Sequence, residues 1–305
     1  MASFTSIQRI SMVGFSLLLL FALSQFWKEE QSVAAVDHQA GQPTSEQARL
    51  RECMLRTSKS QEAESTAIYD LLFDGQKDGT FFEIGAYDGV HLSNTYNFEH
   101  CLKWSGLLIE VNEVTAVDLK KNRANKKNTL LNEAICDKSG VVKFLRDGFQ
   151  NIMIDESAAA KADPSTIHTM PCRHLSDIFT KHKIEHIDFW SLDAEGAELQ
   201  ILQTVDFTKV EISSIMIECQ DEKCYEERSK KGAGIHKLLI DAGYTLYARA
   251  AQSWFDWMPY GTRQLIRAFH MKCCHAPPSN IYISPKKAQS VGKCKPNAAL
   301  RLGCL

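Results

Sequence analysis

A chain of 305 residues with 44% apolar content has room for one generous α/β domain with a sizeable core. Its 35 basic and 37 acidic residues give a formal charge of −2, so no global basic field recruits nucleic acid. Ten cysteines without a Cys-x-x-Cys pair or zinc-type Cys/His spacing argue against a metal finger. Their even number and C-terminal clustering fit a disulfide-permissive compartment, with free buried cysteine as the competing reading.

The N-terminus bears on that choice. From Ile10 to Trp27 runs a nearly continuous apolar segment, preceded by Arg9 and followed by Lys28-Glu29-Glu30. That length just spans a bilayer, and the charge distribution favours a cytoplasmic N-terminus with a lumenal body. The expectation is a single-pass type II anchor in the Golgi or ER membrane. Ala22-Leu23-Ser24 supplies small residues for a signal peptidase, so secretion after cleavage is the alternative. The resulting layout is a cytoplasmic tail over 1–9, an anchor over 10–27, a polar stem over 28–60, the main domain over 61–285 and a basic, Cys-containing tail over 286–305.

Within the domain, Ser65–Phe73 has helical periodicity, and Asp74-Gly75 and Asp78-Gly79 make turns. Phe81–Ile84 reads as a buried strand running through Gly85 and Gly89 into a helix around Leu92–Trp104. Glycines there let backbone N–H groups approach a ligand, and Glu83 at the strand end suits a cationic cofactor. The spacing Glu-x-Gly-x-x-x-Gly lacks the tight Gly-x-Gly-x-x-Gly of a dinucleotide site, which disfavours a nicotinamide oxidoreductase. Gly106–Glu110 is a second strand ending in an acid, followed by a polar helix over Val114–Asn125. Glu110 stands where a ribose is held by both hydroxyls, with an N-cap or solvated strand end as the plain alternative. Lys120, Lys121, Arg123, Lys126 and Lys127 read as a solvated helix face.

Thr129–Cys136 reads as a third strand, and Val141–Leu145 as an added hairpin. Residues 148–170 have no sustained period and read as a loop, a candidate acceptor-binding segment, in which His168, like His174 beyond it, is incidental. Leu175–Lys183 is an amphipathic helix leading to the strand Ile187–Asp193, and a further helix begins near Gly196. Asp193 and Glu195 sit at that strand's carboxyl edge, while Glu198 suits the positive end of a helix dipole. Ile212–Cys219 is another strand, placing Glu218 at its end. A helix over Gly234–Ala242 and strands over Tyr244–Arg249 and Asn280–Ser284 complete the pattern. The aromatic stretch 251–274 reads either as a stacking wall for sugar or peptide or as core.

Strands alternating with helices predict a mostly parallel α/β sheet with a ligand along the strand carboxyl ends, three of which carry acids. The segments Phe82-Glu-Ile-Gly-Ala-Tyr-Asp-Gly89, Ser93-Asn-Thr95, Trp104-Ser-Gly-Leu-Leu-Ile-Glu110 and Ser191-Leu-Asp-Ala-Glu-Gly-Ala-Glu-Leu199 resemble, in order and separation, the FkbM-type methyltransferases and their membrane-anchored branch. The likeness covers roughly residues 80–250. It implies a Rossmann-like seven-stranded sheet flanked by helices and S-adenosylmethionine as cofactor. It further implies that Glu83, Gly85, Asp88 and Gly89 lie at the methionine end, Glu110 at the ribose, Asn112 and Glu133 at the adenine side, and Asp193 near the sulfonium. Val111 departs from the proline many members carry, which bears on the shape of the adenine loop. Glu195 is the candidate base, with Asp193 positioning the acceptor; Asp193 and Glu218 are the weaker candidates for a divalent cation. Compartment and family point to O-methylation of a glycan or glycoconjugate hydroxyl, the alternative being a degenerate domain used for trafficking or protein binding.

Overall fold

The computed structural model describes residues 44–61, 64–147, 150–218, 230–248 and 279–291. The apolar segment 10–27, the first part of the stem, the aromatic stretch 251–274 and the tail from 292 onward lie outside the described residues, as do Cys219, Cys224, Cys273, Cys274, Cys294 and Cys304. Among the described residues, no helix is long and apolar enough to cross a membrane. The chain divides into two compact units, Met1–Ala48 and Arg49–Leu305.

In chain order, helix α1 (Ser45–Thr57) and the short α2 (Glu64–Ile68), prolonged by a π-helical turn Tyr69–Phe73, precede β1 (Thr80–Ile84). Next come α3 (Tyr96–Leu102), β2 (Ser105–Ile109), α4 (Glu113–Asn122) and β3 (Thr129–Leu131). A separate group follows: β4 (Ala134–Ile135), β5 (Gly140–Asp147), β6 (Gln150–Ile154), α5 (Glu156–Ala159) and β7 (Ile167–Arg173). The chain then continues through α6 (Leu175–His182), β8 (His186–Leu192), α7 (Glu198–Leu202) and β9 (Glu211–Glu218). Last are α8 (Lys230–Asp241), β10 (Thr245–Ala248), β11 (Ser279–Ile283) and α9 (Pro285–Val291).

Seven strands form one sheet in the order β10-β11-β9-β8-β1-β2-β3. From β9 to β3 all pairings are parallel, and β11 is antiparallel to both of its neighbours. The strand order reverses at β1, whose neighbours are β2 on one side and β8 on the other; a crevice opens beyond the strand ends at such a point. Both faces are buried, which is why β1, β8 and β9 are nearly continuous apolar runs. Alternate side chains serve different cores. Phe82, Trp190 and Ile215 join Phe179, Leu202 and Leu239 on one face. Phe81, Phe189 and Met216 join Tyr69, Phe98 and Met54 on the other.

Three segments differ from the sequence expectation. The second half of the presumed stem is helix α1, whose Met54 is fully buried against the sheet and whose Cys53 is disulfide-bonded to Cys101 of α3. Its surface is polar enough to look like linker, because it buries only a narrow stripe. The expected strand Thr129–Cys136 breaks after Leu131, and its second piece, β4, leaves the main sheet. The region 148–170, expected to be a loop, carries β6, α5 and the start of β7. It closes a second, four-stranded sheet of order β4-β7-β5-β6, with a second disulfide joining Cys136 to Cys172.

Met54 at zero exposure ties α1 to the domain core. Met54→Ala is expected to lower the unfolding free energy by about 2 to 5 kcal/mol in chemical denaturation; a change within a few tenths would return α1 to the stem.

Candidate active site

A cavity of about 450 Å³ lies beyond the carboxyl ends of β1, β2 and β8. One wall comes from the β1 turn and the β8 turn, including Gly85, Tyr87, Asn94, Asp193 and Glu195; the opposite wall is Val111, Ile135 and Phe144. Glu83, Glu110 and Glu133 line it as well. Six of the expected site residues therefore converge on one space. Asp88, Gly89, Asn112 and Glu218 stand outside its lining.

The β1 turn is built around Glu83, which is 2% exposed. Its carboxylate accepts hydrogen bonds from the Ser93 hydroxyl at 3.0 Å, the Asn94 N–H at 2.7 Å and the Thr95 hydroxyl at 2.6 Å. The buried guanidinium of Arg123 lies 3.8 Å away. Arg123 itself donates to Glu99 at 2.6 Å, the Gly89 carbonyl at 3.1 Å, the Ser93 hydroxyl at 3.2 Å and the Thr95 hydroxyl at 3.1 Å. Glu83 thus spends its acceptors on the turn, and the ligand side receives Asn94 in its place. Gly89 has φ +80°, and a Cβ there would run into the Arg123 stem. It makes room for the arginine, outside the ligand space. Gly85, also at φ +80°, faces the cavity, where a Cβ would collide with the Asp193 carbonyl oxygen.

Glu110 accepts from the Tyr87 N–H at 2.7 Å and the Asn112 N–H at 2.6 Å, one bond to each oxygen. Burial pushes its carboxyl upward, opposed by those two N–H groups. Its carboxylate also lines the cavity, where it can accept from a ligand hydroxyl. Asn112 caps α4, its side chain accepting from the Val114 N–H. Asp88 likewise serves its own turn, accepting from the N–H groups of Val90 and His91. Glu133 is paired with Arg173 at 2.7 Å.

The β8 end is organised differently. Glu195 has φ +49° and Gly196 φ +107°, an unusual pair held by Glu198, which accepts from the Ala194 N–H at 3.2 Å and the Gly196 N–H at 2.9 Å. Glu198 is buried and fastens this turn, a more specific role than a dipole partner. Burial pushes the Asp193 carboxyl well above the usual range, reinforced by a hydrogen bond to Glu218 and by the charges of Glu218, Glu195 and Glu198. Asp193 therefore favours its protonated form more than an exposed aspartate does. Glu64, buried at the start of α2 near Glu218, is pushed up to about 7, chiefly by burial. Among the described residues, no three His, Cys, Asp or Glu side chains form a group that could hold a metal ion.

Two buried oxygens on the cavity wall, Asn94 Oδ1 and Asp193 Oδ1, have no hydrogen-bond partner among the described residues. Buried acceptors of that kind call for a donor-bearing ligand. With Glu110 in the middle and apolar Val111, Ile135 and Phe144 at the far side, the lining fits a long ligand. It would be cationic and polar at one end, hydroxylated in the middle and flat at the other, as S-adenosylmethionine is. Asn94, Ile135, Phe144 and Arg123 were not singled out by sequence reasoning. Asn94 alone had a signal, as the centre of Ser93-Asn-Thr95; Arg123 was hidden in a basic run, where its neighbours Lys120, Lys121, Lys126 and Lys127 are indeed exposed or nearly so.

The family model described as the methyltransferase FkbM domain matches residues 83–246, more than half of the chain. Among solved structures, the O-methyltransferase from Bacillus cereus in complex with SAH is 13% identical, with 75% of this chain and 85% of that chain covered and a TM-score of 0.33. The precorrin-6y C5,15-methyltransferase from Geobacter metallireducens is 12% identical, with 64% and 78% covered and a TM-score of 0.35. The plantazolicin methyltransferase BpumL in complex with SAH is 12% identical, with 90% and 97% covered and a TM-score of 0.33. At these scores the likenesses carry no argument for this chain. No curated protein matches the sequence.

Two outcomes follow for this site. Arg123→Met leaves Glu83 and Glu99 buried without their cation, and is expected to lower stability by about 3 to 5 kcal/mol in urea denaturation. Glu64, whose proton the folded state retains up to about pH 7, makes wild-type stability fall as pH rises from the ordinary glutamate range through 7. The loss is on the order of 3 kcal/mol at most. Glu64→Gln should flatten that part of the stability profile; an unchanged slope would remove Glu64 as its source.

Proposed function

The chain belongs to the FkbM-domain methyltransferases, and we propose that it transfers a methyl group from S-adenosylmethionine to a hydroxyl of a glycan or glycoconjugate in the secretory pathway, anchored through residues 10–27 in the Golgi or ER membrane as a type II protein. The observation that carries the compartment is the pair of disulfides, Cys53–Cys101 and Cys136–Cys172, inside the same unit as the cofactor cavity. Disulfides persist in oxidising compartments and are rare in the cytosol. Polar hydroxyl acceptors carried on glycans are abundant there.

The cofactor, when bound, supplies a methyl group already activated by a sulfonium. The protein's part is then to align the acceptor and take up its proton. Asn94 and Asp193 offer their buried oxygens to the cationic amino-acid end, and Glu110 offers its oxygens to the ribose hydroxyls. Asp193, on the cavity wall beside Gly85, orients the acceptor oxygen. Glu195, on the cavity wall in the turn after β8, is the group that removes the hydroxyl proton at its carboxylate.

One observation favours a second reading, a domain that binds cofactor or protein without turnover. Asp193 is hydrogen-bonded to Glu218 at the reaction edge, which engages one of the carboxylates on the cavity wall within the protein.

Incubating the lumenal body with methyl-labelled cofactor and a mixed glycan pool is expected to place label on glycan hydroxyls. Glu195→Gln should lower kcat by about 100-fold or more at unchanged cofactor affinity. Turnover near wild type in that variant would remove Glu195 from the base role, and binding without any label transfer would leave the binding module in front.

A further inference from the structure

The cavity's apolar wall does not belong to the main sheet. Val111 and Phe144 belong at once to the cavity lining and to the small core of the second sheet, where they meet Ala134, Cys136, Met170 and Cys172. Ile135, also on the wall, lies in β4, a strand of only two residues. So short a strand makes too few ladder bonds to fix its own place. It is instead fastened to β7 by three ties in a row. Ala134 and Ile135 pair in register with Cys172 and Arg173. Glu133, just before them, is bridged to Arg173 at 2.7 Å. Cys136, just after them, is joined to Cys172 by the disulfide and donates its N–H to the Arg173 carbonyl at 3.1 Å.

We propose that the Cys136–Cys172 disulfide and Arg173 are positioning residues for cofactor binding, a latch that sets the wall against which the cofactor's ring end rests. The inference rests on the reading of the cavity as the S-adenosylmethionine site. The polar acceptors Asn94 and Asp193 claim the opposite end, so the apolar wall of Val111, Ile135 and Phe144 receives the flat base. Neither Arg173 nor the two cysteines lines the cavity; they act through Glu133, Ile135 and Phe144. The other disulfide, Cys53–Cys101, joins α1 to α3 and touches none of this wall. Loss of the two bridges therefore has different consequences: one lowers stability alone, the other also lowers affinity.

The experiment measures binding of S-adenosylhomocysteine and of 5′-methylthioadenosine, which lacks the amino-acid end, to three proteins by calorimetry. These are the wild-type lumenal body, Cys136→Ser/Cys172→Ser and Cys53→Ser/Cys101→Ser, each with its melting temperature recorded. Opening the 136–172 bridge is expected to raise Kd about tenfold for both ligands alike. Opening the 53–101 bridge lowers the melting temperature and leaves both Kd values unchanged. Arg173→Ala should reproduce part of the first effect, and Arg173→Lys should restore most of it. Unchanged affinity in the 136–172 variant, or equal weakening by the two bridge variants, overturns the latch. Should the wild type bind neither ligand, the cofactor reading falls, and the latch is judged by hydrogen exchange in the ligand-free protein. Faster exchange confined to Ala134–Ile135 and Val142–Leu145 on opening the 136–172 bridge supports it, and unchanged exchange there overturns it.

Discussion

The site depends on one buried charge pair. Glu83 lies near the end of the central strand of the sheet, where the crevice opens, and Arg123 is buried beside it. Two ions taken from water together are a poor source of net stability. What they supply is geometry. The carboxylate gathers Ser93, Asn94 and Thr95 into a single turn, and the guanidinium fastens that turn to the Gly89 carbonyl and to Glu99. The turn in turn presents Asn94 to the cavity and directs the chain into α3. Gly89 follows from the same demand, since any side chain there would displace the arginine. A motif that looks like a glycine-rich ligand cradle is thus, for half its length, a cradle for the protein's own cation.

That division explains which parts of the molecule were legible in the sequence. The class I S-adenosylmethionine methyltransferase-like α/β fold, with its mostly parallel sheet, could be read because buried strands are long apolar runs and their acid-tipped ends recur at regular spacing. Glu83, Glu110, Asp193 and Glu195 were found for that reason, and they do meet around one cavity. Their individual partners were not legible. Whether an acid faces a ligand or an internal N–H depends on loop geometry, and Asn112, Asp88 and Glu198 all turned out to serve backbone donors.

The second sheet and α1 escaped sequence reading for a different physical reason. Among the described residues the core of the second sheet is the small cluster Ala134, Cys136, Phe144, Met170 and Cys172, of which only Met170 falls within 148–170, so no two-residue period shows there. Helix α1 buries little beyond Met54 and spends the rest of its surface on charge. Each of these weakly patterned pieces is attached by a disulfide. Where burial is too small to hold an element, covalent ties do, and cysteine pairing across 36 and 48 residues leaves no local signal.

Two strand-end acids in one sheet meet opposite fates, and the difference locates the chemistry. Glu83 has Arg123 and three hydroxyl or amide donors, which fasten the turn around it to the strand end. Asp193, just beyond the adjacent strand β8, has carboxylates around it among the described residues: Glu218 beside it and Glu195 and Glu198 in the following turn. Burial and the neighbouring carboxylates together push the Asp193 carboxyl upward. A cationic ligand arriving at that edge relieves the same repulsion, which makes its binding and the protonation of the cluster competing solutions to one electrostatic problem. The β1 end of the sheet is therefore the one held by an internal ion pair, and the β8 end is the one whose clustered carboxylates a cationic ligand would relieve.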